Sequence, residues 1–237
     1  MIDKCADLIK KSKNTVVLTG AGMSTESGIP DFRSDKGIYK KVPEKVLSYA
    51  YFSSNPVDFY DFIKEYFTTA NVEPNIGHNI LANWENRGLV NYIITQNIEG
   101  LHQKAGSKNV LEVHGTIESA TCVNKGCGTQ YKLTDILNGG QIYCLKCNSL
   151  IKPDVVLYDE SVDKINDAIK LVREAELLIV LGSSMTVYPV ASLPLFLTHD
   201  KYIIIINNSP TEYDDRLNTI YIHRPIGETL KCIENRI

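Results

Sequence analysis

An α/β fold is what this chain of 237 residues predicts: a parallel sheet with helices on both faces, broken by a small inserted module. Three observations carry that expectation. Short apolar runs end abruptly in glycine or polar residues, as strands buried on both faces of a parallel sheet do. Segments between them repeat their apolar residues at helical spacing. Residues 117–152 then abandon the alternation and carry four cysteines and four glycines on short polar links.

Taken in order, MIDKCADLIKKSKN interleaves Asp3, Lys4, Asp7 and Lys10 with apolar positions. That pattern suits an amphipathic first helix and lacks the apolar core of an export signal. Val16–Thr19 reads as the first strand and runs into Gly20-Ala21-Gly22. Residues 35–72 are rich in Tyr and Phe without a strand pattern, so they are expected to be helical and to pack outside the sheet. Pro74 can open a helix through Trp84, with Gly88 just past its end. Val90–Thr95 and Val110–Val113 supply two more strands, leading into "QNIEG" and "HG". From Ser161 to Ala175, Val162, Ile165, Ala168, Ile169 and Val172 share one helical face. Leu177–Leu181 and Tyr202–Ile206 complete the strands. The longest apolar runs have five residues, far short of a membrane span, so a cytoplasmic chain without membrane partners is expected. A formal charge of -3 and a pI near 6.0 give no global cationic field, which disfavours general nucleic-acid binding.

Six cysteines without an export signal argue for metal or thiol chemistry rather than disulfides. Cys122 and Cys127 enclose four residues, Cys144 and Cys147 enclose two, and sixteen separate the pairs. Two such knuckles can place four thiolates around one Zn²⁺, as in a zinc ribbon. Sulfur then fills every ligand position, so the ion is expected to hold the fold and leave no site for an activated water. Cys5 and Cys232 lack such partners and read as buried small apolar residues.

Ligands of open parallel sheets bind beyond the carboxyl ends of the strands. Those ends read Gly20-Ala21-Gly22, Gln96-Asn97, His114-Gly115, Gly182-Ser183-Ser184 and Asn207-Asn208. Glycine lets backbone amides approach a pyrophosphate, while Ser, Asn and Gln can hydrogen-bond ribose hydroxyls and base edges. Such a rim suits a dinucleotide. Yet Thr25 holds the third glycine position of a GxGxxG fingerprint, and no acidic residue ends a second strand about twenty positions on. A hydride-transferring dehydrogenase is therefore disfavoured. His114, between a strand and a glycine, is the candidate general base, because imidazole titrates near neutrality. His102, three residues past Glu99, reads as a packing or capping residue, and His78, His199 and His223 are assigned no chemistry. No G-x-S-x-G elbow makes Ser183 or Ser184 a nucleophile.

"GAGMSTESGIPDFRS", "TQNIEGLHQKAG", "EVHG", the four-cysteine module, "KPDVV" and "LGSSMTVYP" follow one another in this chain. In that order and spacing they resemble the sirtuins, NAD-dependent protein deacylases, from residue 14 to about 230. The resemblance implies a Rossmann-like NAD-binding domain over 1–34, 73–116 and 153–237. A small domain over 35–72 and 117–152 would unite a helical segment with the zinc module, and NAD would lie in the cleft between the two. Gly20, Ala21, Gly22, Thr25 and Arg33 would contact the cofactor, Gln96 and Asn97 its nicotinamide-side ribose, and Gly182, Ser183, Ser184 and Asn207 the adenosine half. Ile226 would border the adenine. Phe32, Ile98 and Glu99 would surround the nicotinamide, where an aromatic can shield the reacting carbon from water. His114 would be the base, with Asn97 the second catalytic residue. An acetylated lysine in a protein or peptide would lie extended between Val155, Val156, Leu157 and Tyr158 on one side and Val187 and Tyr188 on the other.

The implied reaction moves the acetyl group from lysine to ADP-ribose and releases nicotinamide and O-acetyl-ADP-ribose. Mono-ADP-ribosylation of a protein, or removal of longer acyl groups, are the alternatives. Two departures stand out. Glu99 occupies the place of the usual Asp, and Tyr158-Asp159-Glu160 that of the common Phe-Gly-Glu.

Overall fold

The computed structural model describes residues 1–67 and 72–237. Its strands are β1 (Thr15–Thr19), β2 (Tyr92–Thr95), β3 (Val110–Glu112), β4 (Gly115–Cys122), β5 (Gln130–Lys132), β6 (Ile151–Val155), β7 (Leu177–Leu181), β8 (Tyr202–Ile206) and β9 (Thr219–Ile222). Six of them form one parallel sheet in the order β3-β2-β1-β7-β8-β9. The chain therefore builds outward from β1 to one edge, then returns beside β1 and builds to the other. β1 and β7 flank the point where that direction reverses, which is where open α/β sheets bind ligands.

Helices α1 (Ile2–Lys11), α2 (Tyr49–Ser54), α3 (Pro56–Tyr66), α4 (Ile76–Asn86), α5 (Leu101–Lys104), α6 (Leu133–Gly139), α7 (Ile165–Glu174) and α8 (Ile226–Glu234) account for the helical patterns. Alternate residues of each central strand enter opposite cores. Val17, Ile179 and Ile204 pack with Ile9 of α1, Leu81 and Trp84 of α4, and Leu230 of α8. Val16, Leu178 and Ile203 pack on the other face with Ala168 and Val172 of α7. Each fully buried side chain of this size contributes about 1.5–3 kcal/mol, so these strands are held from both sides. Trp84 is wholly buried, and its indole N–H donates to Glu234 at 2.6 Å.

Several elements differ from the sequence expectation for identifiable reasons. α4 starts after Asn75 instead of at Pro74, because Asn75 Oδ1 accepts the N–H groups of Gly77 (2.8 Å) and His78 (3.3 Å) as a cap. α7 begins at Ile165, and Val162 packs beside it from the preceding turn. The edge strand β9 has one half-exposed face, so its Thr219-Ile220-Tyr221-Ile222 never forms a continuous apolar run. Cys5 is buried as expected, but Cys232 is exposed. Ile226, Leu230 and Ile233 take the inward stripe of α8, and position 232 turns away from it at 3.6 residues per turn.

Residues 117–152 contain more strand than their polar links suggest. β4 pairs antiparallel with β5 and β6 in a second, three-stranded sheet. Its core draws Ile117, Ala120, Leu133 and Ile151 together with Phe52 of α2 and Phe59 and Ile63 of α3. The aromatic segment before α4 and the cysteine module thus share one apolar cluster outside the parallel sheet. Tyr60 fixes them together by donating its hydroxyl to the Ile151 carbonyl at 2.7 Å. Among the described residues no helix is long and apolar enough to cross a membrane.

Candidate active site

The loops after β1, β2, β3, β7 and β8 line one cavity of about 500 Å³, a size suited to a cofactor-sized ligand. Gly20, Ala21, Gly22 and Thr25 come from the first loop, Gln96 to Glu99 from the second, His114 from the third, Gly182 to Ser184 from the fourth and Asn207 from the fifth. Glycine is required here by contact. A Cβ on Gly20 would lie 2.8 Å from the Gly182 carbonyl oxygen, and one on Gly22 would lie 2.8 Å from the Gly182 Cα. Gly182 itself has φ +61°, and a Cβ there would meet the Met23 nitrogen at 2.4 Å. Gly182→Ala is therefore expected to lower stability by about 2–4 kcal/mol in urea unfolding. Gly28→Ala, with φ +92° but nothing within 4 Å, should cost only about 1 kcal/mol.

Thr25 shows why the third glycine is dispensable. It lies in a 3₁₀ turn, Ala21–Ser27, and folds its hydroxyl back onto the Gly22 carbonyl at 2.9 Å. The segment leaving β1 is thus a 3₁₀ turn and not the α-helix whose close packing on the strand the third glycine normally permits.

Polar groups around the rim hold one another. Gln96 donates to Ser183 Oγ at 2.8 Å, Ser184 and Thr186 hydroxyls lie 2.8 Å apart, and Asn207 donates to the Ser209 carbonyl at 2.8 Å. Asn97 is buried, with its backbone N–H on Thr95 Oγ1 (3.0 Å) and its amide on Ser24 Oγ (3.1 Å). Ser24 in turn donates to Glu99, which also accepts the Ile98 N–H at 3.2 Å. Burial pushes the Glu99 carboxyl above its ordinary range, and the Ser24 hydrogen bond opposes that rise.

His114 stands at the mouth of β4. Its Nδ1 is 3.2 Å from the Gln96 carbonyl oxygen, which can only accept, so the neutral ring carries its proton on Nδ1 and its lone pair on Nε2. Burial lowers the imidazole below its ordinary value. The His114 carbonyl accepts the Val156 N–H at 2.8 Å, which brings the exit of β6 past the histidine. Val155, Val156, Leu157 and Tyr158 line the cavity from that side, and Val187 and Tyr188 from beyond β7.

Phe32 lies among Tyr39 and Phe67, with ring centroids 5.2 and 6.2 Å away. Arg33 pairs with Glu44 at 2.7 Å and sits 5.3 Å from the Tyr39 ring centre. Tyr158 donates to the same Glu44 carboxylate at 2.5 Å. Ile226 is the one expected contact that does not line the cavity. It is the first residue of α8 and is buried in the core on the inward face of that helix. Ser24, Tyr39 and Phe67 line the cavity without having been singled out from the sequence. Only the aromatic richness of residues 35–72 signalled the last two, and it reads equally as packing.

At the other end of β4, the four Sγ atoms of Cys122, Cys127, Cys144 and Cys147 lie within 4.8 Å of one another. Zn–S bonds of about 2.3 Å in a tetrahedron set S···S edges of about 3.8 Å, so the cluster could hold one zinc ion. The Tyr131 hydroxyl donates to Cys144 Sγ at 3.2 Å and pulls that thiol down to about 6, toward the thiolate a metal needs.

Residues 20–189 match the family model described as the Sir2 family. An NAD-dependent protein deacetylase of Thermotoga maritima is 45% identical over 217 residues, covering 88% of this chain and 87% of that protein. Another from Clostridium tetani is 44% identical over 234 residues, covering 94% and 93%. A solved structure of Sir2 with p53 peptide and NAD⁺ superposes with a TM-score of 0.91 at 39% identity, covering 99% of this chain and 98% of that one. A Sir2 variant with deacetylated p53 peptide and 3'-O-acetyl ADP ribose reaches 0.94 at 40% identity, covering 99% and 97%. The glycine turn against Gly182, the histidine at the head of β4 and the cysteine cluster at its foot thus have a common explanation: this chain belongs to the Sir2 family.

Proposed function

We propose that the chain is an NAD-dependent protein lysine deacetylase that transfers the acetyl group to ADP-ribose. One observation carries this reading beyond kinship. His114 presents a lone pair on Nε2 in the cavity where the dinucleotide-suited rim meets the exit of β6. Bound NAD would supply a ribose carbon activated by departure of nicotinamide. Everything else falls to the protein.

The Gly20–Gly22 turn, Thr25 and Arg33 would hold the phosphates, which an uncovered backbone and a guanidinium suit. Gln96, Asn97, Gly182, Ser183, Ser184 and Asn207 would take ribose hydroxyls and the adenosine end. Ile226 would then act from below, supporting the adenine side without contact. Phe32 and Ile98 would keep water from the reacting carbon, with Glu99 facing the nicotinamide amide. His114 would accept a ribose hydroxyl proton at Nε2 while Asn97 orients that sugar. Val155 to Tyr158 and Val187 to Tyr188 would pair with an extended acetyl-lysine peptide as an added strand.

The separate apolar clusters support a division into a large unit (1–34, 73–116, 153–237) and a small one (35–72, 117–152). One structural zinc ion on Cys122, Cys127, Cys144 and Cys147 would tie the small unit together. We place the protein in the cytoplasm, where a reducing milieu suits a thiolate cluster. Mass spectrometry of an acetyl-lysine peptide, incubated with and without NAD, tests the function: deacetylation should occur only with NAD. ADP-ribose attached to protein instead would favour mono-ADP-ribosylation.

A further inference from the structure

Two buried histidines, His78 on α4 and His102 on α5, take no part in the site described above. Their ring centroids lie 4.8 Å apart at an interplanar angle of 61°. His78 is fully buried and His102 is 2% exposed. Hydrogen-bond partners fix the tautomers. The Asn75 backbone N–H can only donate, so His78 Nδ1 accepts it at 3.3 Å, and the neutral ring carries its proton on Nε2. Thr19 Oγ1 donates to Thr95 Oγ1 at 2.8 Å, so at 3.0 Å it accepts from His102 Nε2–H. His102 Nδ1 is then a bare acceptor. Among the described residues neither His78 Nε2 nor His102 Nδ1 has a partner. A buried donor without an acceptor thus sits beside a buried acceptor without a donor, each a costly group to leave unmade. Burial also keeps both rings neutral, pushing His78 to about 4 and His102 to about 3.

We propose that one buried water joins His78 Nε2–H to His102 Nδ1, and that the pair is a positioning device for Asn97. With that link the polar chain closes into a ring. Asn75 Nδ2 donates to the Met23 carbonyl at 2.8 Å, and Asn75 leads through His78, His102 and Thr19 to Thr95. Thr95 Oγ1 accepts the Asn97 N–H, and the Asn97 amide returns to Ser24, the neighbour of Met23. Around this ring Asn75 and Asn97 donate on both sides, and Thr95 Oγ1 accepts from both Thr19 and Asn97. Two neutral imidazoles can span that distance without placing a charge beneath the cofactor. Asn97 is thereby held toward the ribose, a role that rests on the function proposed above.

Long-range ¹H–¹⁵N NMR of histidine-labelled wild type tests the link without turnover. Both rings should be neutral Nε2–H tautomers at pH 7, and a Nδ1–H tautomer at His102 would overturn the proposal. Kinetics provide the second arm. His102→Gln keeps an N–H that reaches Thr19, whereas His102→Leu removes it. The Leu variant should lose about tenfold in kcat/KM for NAD with the peptide KM unchanged, and the Gln variant should stay within about twofold of wild type. Equal losses in the two variants would reduce the pair to packing and overturn it. A wild type that forms no product but shows these tautomers would sink the deacetylase reading and leave the link standing.

Discussion

His114→Ala should lower the deacetylation rate by about 10²-fold or more, because it removes a positioned general base. NAD binding, measured by calorimetry, should weaken little, since the glycine turn, Gln96 and Ser183 do not depend on the imidazole. His114→Asn is the sharper control, replacing the ring's Nδ1–H toward Gln96 with an amide but offering no base. The wild-type pH profile carries the same signature. Only the neutral ring can accept a proton, and burial lowers the His114 pKa, so activity should rise with pH along a limb lying below the ordinary imidazole value of about 6.5. A limb displaced above 6.5, or full activity in His114→Ala, would remove His114 from the chemistry.

Zinc removal should be the most damaging change to structure. Structural zinc contributes on the order of 10 kcal/mol or more of apparent binding energy in small cysteine sites, more than a three-stranded sheet can replace. β4 carries the consequence to the active site, because it starts beside His114 and ends on Cys122. Once Cys122 is released, the pairing of β4 with β6 weakens, and with it the wall formed by Ile117 and Val155. Chelation or Cys144→Ser should therefore expose the amides of β4 to β6 to hydrogen exchange and abolish turnover together. An apo protein with β4 to β6 still protected and no activity would contradict this coupling and point to a direct chemical role for the metal.

What could be read from the sequence follows from how the residues are buried. Leu177–Leu181 and Tyr202–Ile206 are covered on both faces, so their composition declares them and their bounds come out as expected. β9 and β5 are short and half-exposed, and their alternation is too brief to separate from a loop. β6 carries Pro153 in its middle, and the strand persists because β4 supplies its antiparallel partner. The cysteine spacing predicted the cluster directly, since ligand geometry constrains sequence distance. Glu44 shows the opposite case. It lies in no strand, and its grip on Arg33 and Tyr158 exists only because the helical segment folds beside the loop that carries Arg33. Ser24 likewise lies inside a motif marked by its glycines, yet its hydroxyl joins Asn97 to Glu99.

The measurement that bears most directly on the function is product stoichiometry. Purified protein, NAD and an acetyl-lysine peptide should yield deacetylated peptide, nicotinamide and O-acetyl-ADP-ribose in equal amounts, quantified by mass spectrometry over one time course. Deacetylated peptide appearing with free acetate and no nicotinamide would contradict the transfer of acetyl to ADP-ribose.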